Sequence, residues 1–136
     1  MTQMVRTIDD PLYEALRDED VEAFNEAKAN LDDIPSFAYC DFRGLDLRGL
    51  DADGLDLRHA YFRGADLRGI DFSNAQLEGA SIALTKISGC YFPPALRADE
   101  ITMSHQFGAR MRYALGSLAP GEVKPRRSKK VTKKQG

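Results

Sequence analysis

A five-residue period that runs from residue 40 to residue 94 constrains this 136-residue chain more than any other feature. Each of eleven consecutive units has an apolar residue at its centre and a second apolar or small residue two positions earlier. Most units have Gly or Asn two positions after the centre. A fixed internal period is typical of a solenoid, in which successive units stack on one another. The eleven centres are Phe42, Leu47, Ala52, Leu57, Phe62, Leu67, Phe72, Leu77, Ile82, Ile87 and Phe92.

The spacing excludes a helix for these units and favours an extended backbone. Apolar residues at offsets of two and five do not stay on one side of an α-helix. In an extended chain, by contrast, residues two apart point to the same face. Gly and Asn tolerate a positive φ, so they allow a sharp bend at the end of each unit. The pattern therefore predicts short extended segments, separated by bends, that wind round an apolar core.

The units CDFRG, LDLRG, LDADG, LDLRH, AYFRG, ADLRG, IDFSN and AQLEG resemble the pentapeptide repeat family, whose pattern is A(D/N)LXX. This resemblance implies an all-β solenoid, a short right-handed quadrilateral β-helix with four units per coil and about three coils. Centres twenty residues apart should then lie over one another. Phe42 should lie over Phe62, and Phe72 over Phe92.

The chain outside the repeat is expected to cap it. We divide the sequence into an N-terminal helical cap over 1–33, the β-helix over 34–95, a C-terminal helix within 96–120 and a disordered basic tail over 121–136. Asp10 followed by Pro11 predicts the start of a first helix. A second helix is expected to start at Asp18 to Asp20, and the apolar residues expected on one side of it are Val21, Phe24, Ala27 and Leu31.

Apolar residues recur at helical spacing after the repeat and predict a helix over 104–118, with Ser104 as its N-cap. This helix either covers the last coil or pairs with a second subunit, and both alternatives stay open. In gyrase-directed members of the family the C-terminal element makes a dimer, so the resemblance implies a homodimer as one alternative. The residues proposed for this cap or dimer contact are Met103, Phe107, Met111 and Leu115.

Charge is distributed unevenly along a chain whose net charge is only −2. Residues 1–33 carry ten acidic and three basic side chains, whereas residues 96–136 carry three acidic and ten basic ones. The N-terminal segment is interpreted as a lid, with binding of a basic partner as the alternative. The run KPRRSKKVTKK at 124–134 is either a solvated tail or a weak contact to nucleic acid, since cationic residues release counterions from phosphates.

The sequence shows no catalytic constellation, metal-ligand motif or phosphate-binding loop, so we predict neither enzymatic activity nor a cofactor. His59 and His105 are interpreted as ordinary surface histidines. Cys40 and Cys90 occupy inward positions that are too far apart for a disulfide. No apolar run reaches membrane-spanning length and no signal-peptide pattern is visible, so a cytoplasmic protein is expected. The resemblance implies a bacterial or phage origin.

The outward positions of the repeat carry most of its charge. Aspartate precedes many of the centres and arginine follows many of them, so the two flank an inward residue on the exterior. We interpret this surface either as a solvated mesh of Asp–Arg pairs or as a charged recognition face. The candidate protein-binding residues are Arg43, Arg48, Arg58, Arg63, Arg68, Asp46 and Asp66.

A solenoid without a reactive site points to binding. The sequence predicts a non-catalytic protein-interaction module, a small rigid scaffold that binds a protein partner through its charged walls or its terminal helices. The alternative, implied by the resemblance, is a DNA-mimicking binder of a type II topoisomerase that protects or inhibits gyrase. We rank this alternative second because a DNA mimic needs a long anionic rod.

Overall fold

A computed structural model describes residues 5–115 of the chain. It contains three helices, α1 over Pro11–Arg17, α2 over Val21–Ala29 and α3 over Ala98–Phe107. The repeat lies between α2 and α3. Within residues 5–115 its backbone forms isolated bridges rather than continuous strands. The extended part of each unit is too short for a longer ladder, because a bend follows within five residues.

The bridges of the repeat have one register. Each of them joins residues twenty apart in parallel: Asp41 to Tyr61, Asp46 to Asp66, Asp56 to Gln76, Tyr61 to Ser81, Asp66 to Lys86, and Asp71 to Tyr91. The hydrogen bonds follow the same rule, since the Phe42 N–H donates to the Tyr61 carbonyl at 2.8 Å. The chain thus comes back over itself every four units. We name the four sides of this coil after their first centres: Phe42, Leu47, Ala52 and Leu57.

Side chains at the unit centres fill the interior. The rings of Phe42 and Phe62 stack with centroids 5.2 Å apart. The rings of Phe72 and Phe92 stack at 6.1 Å. The prediction that these centres lie over one another is confirmed. Nine of the eleven centres are buried, whereas Ile87 and Phe92 of the last coil are only partly buried.

The N-terminal helices begin as predicted. The Asp10 carboxylate accepts a hydrogen bond from the Leu12 N–H at the start of α1. The Asp20 carboxylate accepts one from the Ala23 N–H at the start of α2. Both caps satisfy N–H groups that have no partner within the helix.

The predicted inner face of α2 is partly wrong. Phe24 is fully buried and Val21 is partly buried, but Ala27 is exposed. Lys28 takes the inner position instead and is only 2% exposed. Leu31 is 40% exposed because α2 ends at Ala29, before that residue.

Side chains of the N-terminal cap satisfy the open edge of the first coil. The Asn25 side chain donates to the Gly49 carbonyl at 2.9 Å and accepts from the Asp51 N–H at 2.9 Å. The Glu19 carboxylate accepts from the Asp46 N–H at 2.7 Å. These amide and carboxylate groups replace the neighbouring coil that the first coil lacks, so they block pairing with another chain.

The C-terminal helix differs from the prediction of 104–118. It runs over Ala98–Phe107, and Gly108, whose φ is 78°, caps its C-terminal end. Ser104, expected as N-cap, lies inside it, and its hydroxyl accepts from the Ile82 N–H at 3.0 Å. Met111 and Leu115 lie beyond the helix. Residues 116–118 of the predicted helix and the tail over 121–136 lie outside the described residues.

One corner of the coil gives a test of the packing. At Gly79, φ is 81° and an added Cβ would clash with the His59 ring, whereas Gly64 has a φ of 74° and no atom within 4 Å of such a Cβ. We expect Gly64→Ala to lower the free energy of unfolding by about 1–2 kcal/mol through backbone strain alone. Gly79→Ala should cost about 1–3 kcal/mol more, because the ring must move. Urea unfolding measures both, and equal losses would contradict the corner packing.

Candidate interaction surface

Four of the five arginines in the repeat are held by an aspartate of the same unit. The Arg43 Nε lies 2.8 Å from Asp41 Oδ1. A second bond joins Arg43 to the other oxygen, Oδ2, at 3.0 Å, so the pair is bidentate. The same carboxylate accepts from the backbone N–H of Arg43. The equivalent pairs are Asp46 with Arg48, Asp56 with Arg58, and Asp66 with Arg68.

These pairs lower the pKa of the carboxyl groups they contain. Hydrogen bonds from the Arg43 side chain lower the pKa of Asp41. Hydrogen bonds from Arg48 and from Arg68 do the same for the pKa values of Asp46 and Asp66. A charged carboxylate is favoured because its partner is a fixed cation. The four arginines are therefore occupied within their own units.

The Leu47 side carries the predicted Asp–Arg mesh. The Arg48 Nε lies 3.5 Å from Asp66 Oδ2, so the first coil is linked to the second. Asp46 and Asp66 face each other across a parallel bridge. Opposite charges therefore separate the stacked like charges on this side.

The predicted recognition residues do not form one face. Arg43 and Arg63 lie on the Phe42 side, and Arg58 lies on the Leu57 side. The other four, Arg48, Arg68, Asp46 and Asp66, share the Leu47 side. The repeat turns between these units, so a flat partner can contact only part of the set.

Arg63 differs from the other four arginines. The residue two positions before it is Tyr61 instead of aspartate. Arg63 is exposed, and among residues 5–115 no ion pair joins it to a carboxylate. The unit AYFRG carries this signal in the sequence, since it has tyrosine where the neighbouring units have aspartate.

Two further residues complete a cluster that the sequence did not predict. The Arg110 guanidinium lies 3.3 Å from the Tyr61 hydroxyl and 5.8 Å from the centre of its ring. Arg110 follows α3, far from Tyr61 in sequence, so no local pattern could indicate the contact. We call Arg43, Tyr61, Arg63 and Arg110 the basic surface.

The Ala52 side has the opposite character. Asp51, Asp53 and Asp71 lie in units without arginine. The Lys28 ammonium reaches the end of this side and lies 3.0 Å from Asp51 Oδ1. The coil thus presents an acidic side two units away from the basic surface.

The residues proposed for a cap or dimer contact divide between two roles. Met111 is fully buried and its backbone pairs with Gly79 and Ala80, so it covers the end of the core. Met103 is 47% exposed and Phe107 is 72% exposed. Leu115 is exposed at the last described position.

The two histidines are not ordinary surface residues, so this interpretation was wrong. The His59 ring stacks on Tyr39 with centroids 4.6 Å apart, and its Nδ1 is buried without a hydrogen-bond partner among residues 5–115. The Nε2 of His105 lies 2.8 Å from the Thr85 carbonyl oxygen. Both rings pack against corners of the coil. Each histidine occurs singly, and no pattern around it in the sequence predicts this packing.

Other chemistry is limited in the part of the chain that is described. No group of three or more His, Cys, Asp or Glu residues there is placed to hold a metal ion. Cys40 and Cys90 are both free, as predicted. Burial raises the pKa of each thiol. None of the helices over 5–115 has the length and apolar character to cross a membrane.

Comparison with known proteins identifies the repeat. The family model for pentapeptide repeats matches residues 36–64 and 56–92, with eight copies. The resemblance seen in the sequence is confirmed, and residues 36–92 are pentapeptide repeats. Searches of curated proteins and of solved structures found no match. The family suggests an interaction or scaffold role for the chain.

The half-buried His59 ring makes stability depend on pH. Burial, followed by the charges of Arg110 and Arg58, lowers the pKa of His59, while Glu78 and Asp56 oppose them. The folded protein therefore favours the neutral ring, so stability is complete above the unfolded pKa of about 6.5 and falls as the pH drops below it.

We expect His59→Asn to remove this loss between pH 7 and pH 5, because asparagine does not titrate and tolerates the positive φ of this corner. Urea unfolding of both proteins at each pH measures the difference. The lowered pKa values of the aspartates act at a lower pH, near 4, where both proteins should lose stability together. Parallel curves between pH 7 and pH 5 would contradict the role of His59.

Proposed function

We propose that this chain is a non-catalytic protein-interaction module. Its repeat is the scaffold, in the right-handed quadrilateral β-helix that is general for the family. The stacked aromatic core and the in-unit ion pairs support a rigid exterior. A rigid surface loses little conformational entropy when a partner binds.

The binding site that we propose is the basic surface, and the observation that carries this is the state of Arg63. Arg43 is neutralised by Asp41, whereas Arg63 is exposed and no carboxylate within residues 5–115 forms an ion pair with it. Arginine and tyrosine are enriched among the residues that dominate binding energy at protein interfaces. A partner carboxylate could take the place next to Arg63 that aspartate fills in the neighbouring units.

Charge defines the kind of partner. Arg63 and Arg110 both lie beside Tyr61, and the unit AYFRG contains no aspartate. The cluster therefore favours a partner with an acidic protein surface. The topoisomerase alternative needs an extended anionic face. In the described part of the repeat, arginines of the same unit pair with Asp41, Asp46, Asp56 and Asp66, which leaves the Ala52 side as the acidic one. The basic surface thus supports the first proposal.

Reversing the charge of Arg63 tests the site. The immobilised full chain captures a partner from a lysate, and the dissociation constant of that purified partner is then measured. We expect Arg63→Glu to raise it about 30-fold, the effect of losing about 2 kcal/mol at a central arginine. Higher salt should weaken binding to the unaltered protein, because the contact is between charges.

Ser88→Glu is the matched control. Ser88 is exposed and follows a unit centre as Arg63 does, but it lies on the Leu47 side. Its dissociation constant should stay close to that of the unaltered protein. If Arg63→Glu binds as tightly as Ser88→Glu does, the basic surface is not the binding site.

A further inference from the structure

Leu84 stands at a corner of the coil where the backbone favours glycine. The corners stacked below it are Gly44 and Gly64, and all three residues have a positive φ, which is 57° at Leu84. Leucine is strained in this region because its Cβ comes too close to a backbone carbonyl oxygen. At Tyr39 and His59, which also have a positive φ, the two rings stack on each other and packing compensates the strain. The Leu84 side chain is instead 60% exposed, and uncompensated strain of this kind is typical of functional sites.

The C-terminal end of α3 brings two more exposed apolar side chains to this corner. The His105 carbonyl accepts a hydrogen bond from the Leu84 N–H at 3.1 Å, and α3 ends two residues later at Phe107. Met103 lies about one helical turn before Phe107, so the two residues share a face of the helix. Both are exposed. We call Leu84, Met103 and Phe107 the apolar patch, and clustered apolar side chains on a surface are typical of interaction sites.

The apolar patch adjoins the basic surface through the wall of the coil. Gly64 follows Arg63 in the chain, and its N–H donates to the Ala83 carbonyl at 3.0 Å. Leu84 follows Ala83, so Arg63 and Leu84 flank the same hydrogen bond on neighbouring turns. Paired extended segments lie about 5 Å apart, so one bound peptide reaches both side chains.

A second link runs through the segment that follows α3. Gly108 passes over Ala83, since a Cβ added at Gly108 would lie 3.7 Å from the Ala83 Cβ. Two residues later, the Arg110 guanidinium lies 3.3 Å from the Tyr61 hydroxyl. The chain thus leads directly from Phe107 of the apolar patch to Arg110 of the basic surface.

Charge selects among the occupants of such a surface. A two-fold dimer through the apolar patch would use the same patch on both copies and bring two basic surfaces together, which like charges disfavour. Leucine and methionine offer no flat ring on which a nucleic-acid base stacks. An acidic protein segment meets both requirements, because its carboxylates pair with the arginines and its apolar side chains cover the patch.

We propose that the apolar patch and the basic surface form one binding site for a short acidic segment of a partner protein that also carries large apolar side chains. This inference rests on the proposed function of the basic surface. A carboxylate of the segment pairs with Arg63, and apolar residues next to it pack on Leu84 and Phe107. The apolar patch thereby discriminates against acidic segments that have no apolar residue.

Selection from a displayed library of random linear peptides on the immobilised full chain tests the proposal. We expect the enriched peptides to combine Asp or Glu with large apolar residues. One enriched peptide is then synthesised, and its dissociation constant is measured for each protein. Leu84→Asn and Phe107→Ala should each raise this constant about tenfold, the effect of losing one buried apolar contact.

Tyr91→Asn is the matched control. Tyr91 is 68% exposed but lies on the Ala52 side, where it pairs with Asp71. Its replacement should leave the dissociation constant of the peptide unchanged.

Unfolding in urea separates lost binding from lost folding. Asparagine adopts a positive φ more readily than leucine, and Leu84 is largely exposed, so Leu84→Asn should not lower the unfolding midpoint. Phe107→Ala gives the same comparison at a second position, since Phe107 is exposed at the end of α3. Weaker binding at an unchanged midpoint assigns these side chains a role in binding.

Changes in the peptide distinguish failure of this inference from failure of the proposed function. A peptide with its acidic residues replaced by Asn or Gln should lose its sensitivity to Arg63→Glu. If Arg63→Glu weakens binding whereas Leu84→Asn and Phe107→Ala behave as Tyr91→Asn does, the basic surface stands and the apolar patch is not part of the site. If all four variants bind alike, both proposals fail.

Three other results would overturn the inference. Failure to enrich peptides that contain both acidic and apolar residues would show that the surface does not recognise such a segment. A dimer in sedimentation that Leu84→Asn dissociates would assign the apolar patch to a second copy. Binding of a short single-stranded oligonucleotide that Phe107→Ala abolishes would assign the site to nucleic acid.

Discussion

The structure depends on hydrogen bonds between residues one turn apart in the repeat. An N–H group of one turn donates to a carbonyl nineteen residues later, as Phe42 does to Tyr61 and Leu67 does to Lys86. Because this register is kept from turn to turn, every unit centre falls above another centre. The stacked rings and the ordered exterior charges both follow from that register. A slip by one residue would exchange inward and outward side chains.

The same hydrogen bonds leave an edge at each end of the coil, and the two ends are treated differently. At the N-terminal end, Asn25 and Glu19 of the helical cap supply side-chain partners to the first coil. At the C-terminal end, residues 104–113 cover two sides of the last coil. They do not cover the sides that contain Ile87 and Phe92. The exterior between the ends carries the charged side chains of the repeat. The basic surface lies where Tyr61 stands at the position that aspartate occupies in the neighbouring units.

Much of this arrangement could be predicted from the sequence, because the five-residue period fixes both register and core. The pairing of Phe42 with Phe62 follows from it directly. The end of α3 was predicted wrongly because Met111 falls at helical spacing in the sequence. In the structure Met111 packs into the core from beyond the end of the helix. The buried Lys28 was missed because a long apolar stem with a charged tip resembles a surface residue in sequence.

The basic surface was predicted only in part for a related reason. Arg43 and Arg63 follow from the repeat, but Arg110 reaches Tyr61 through the fold of residues 108–113. The predicted set of seven residues was divided because each unit faces a different direction. Sequence period defines which residues point outward, whereas the turn of the coil decides which of them meet.

The contact between the Phe42 and Phe62 rings is the most direct test of the twenty-residue register. Nuclear Overhauser spectroscopy on the protein with labelled phenylalanine measures the proximity of their ring protons. Centroids 5.2 Å apart predict a strong cross-peak between the two rings, with a further one between Phe72 and Phe92. If neither cross-peak appears in the folded protein, successive turns do not stack as described and the account fails.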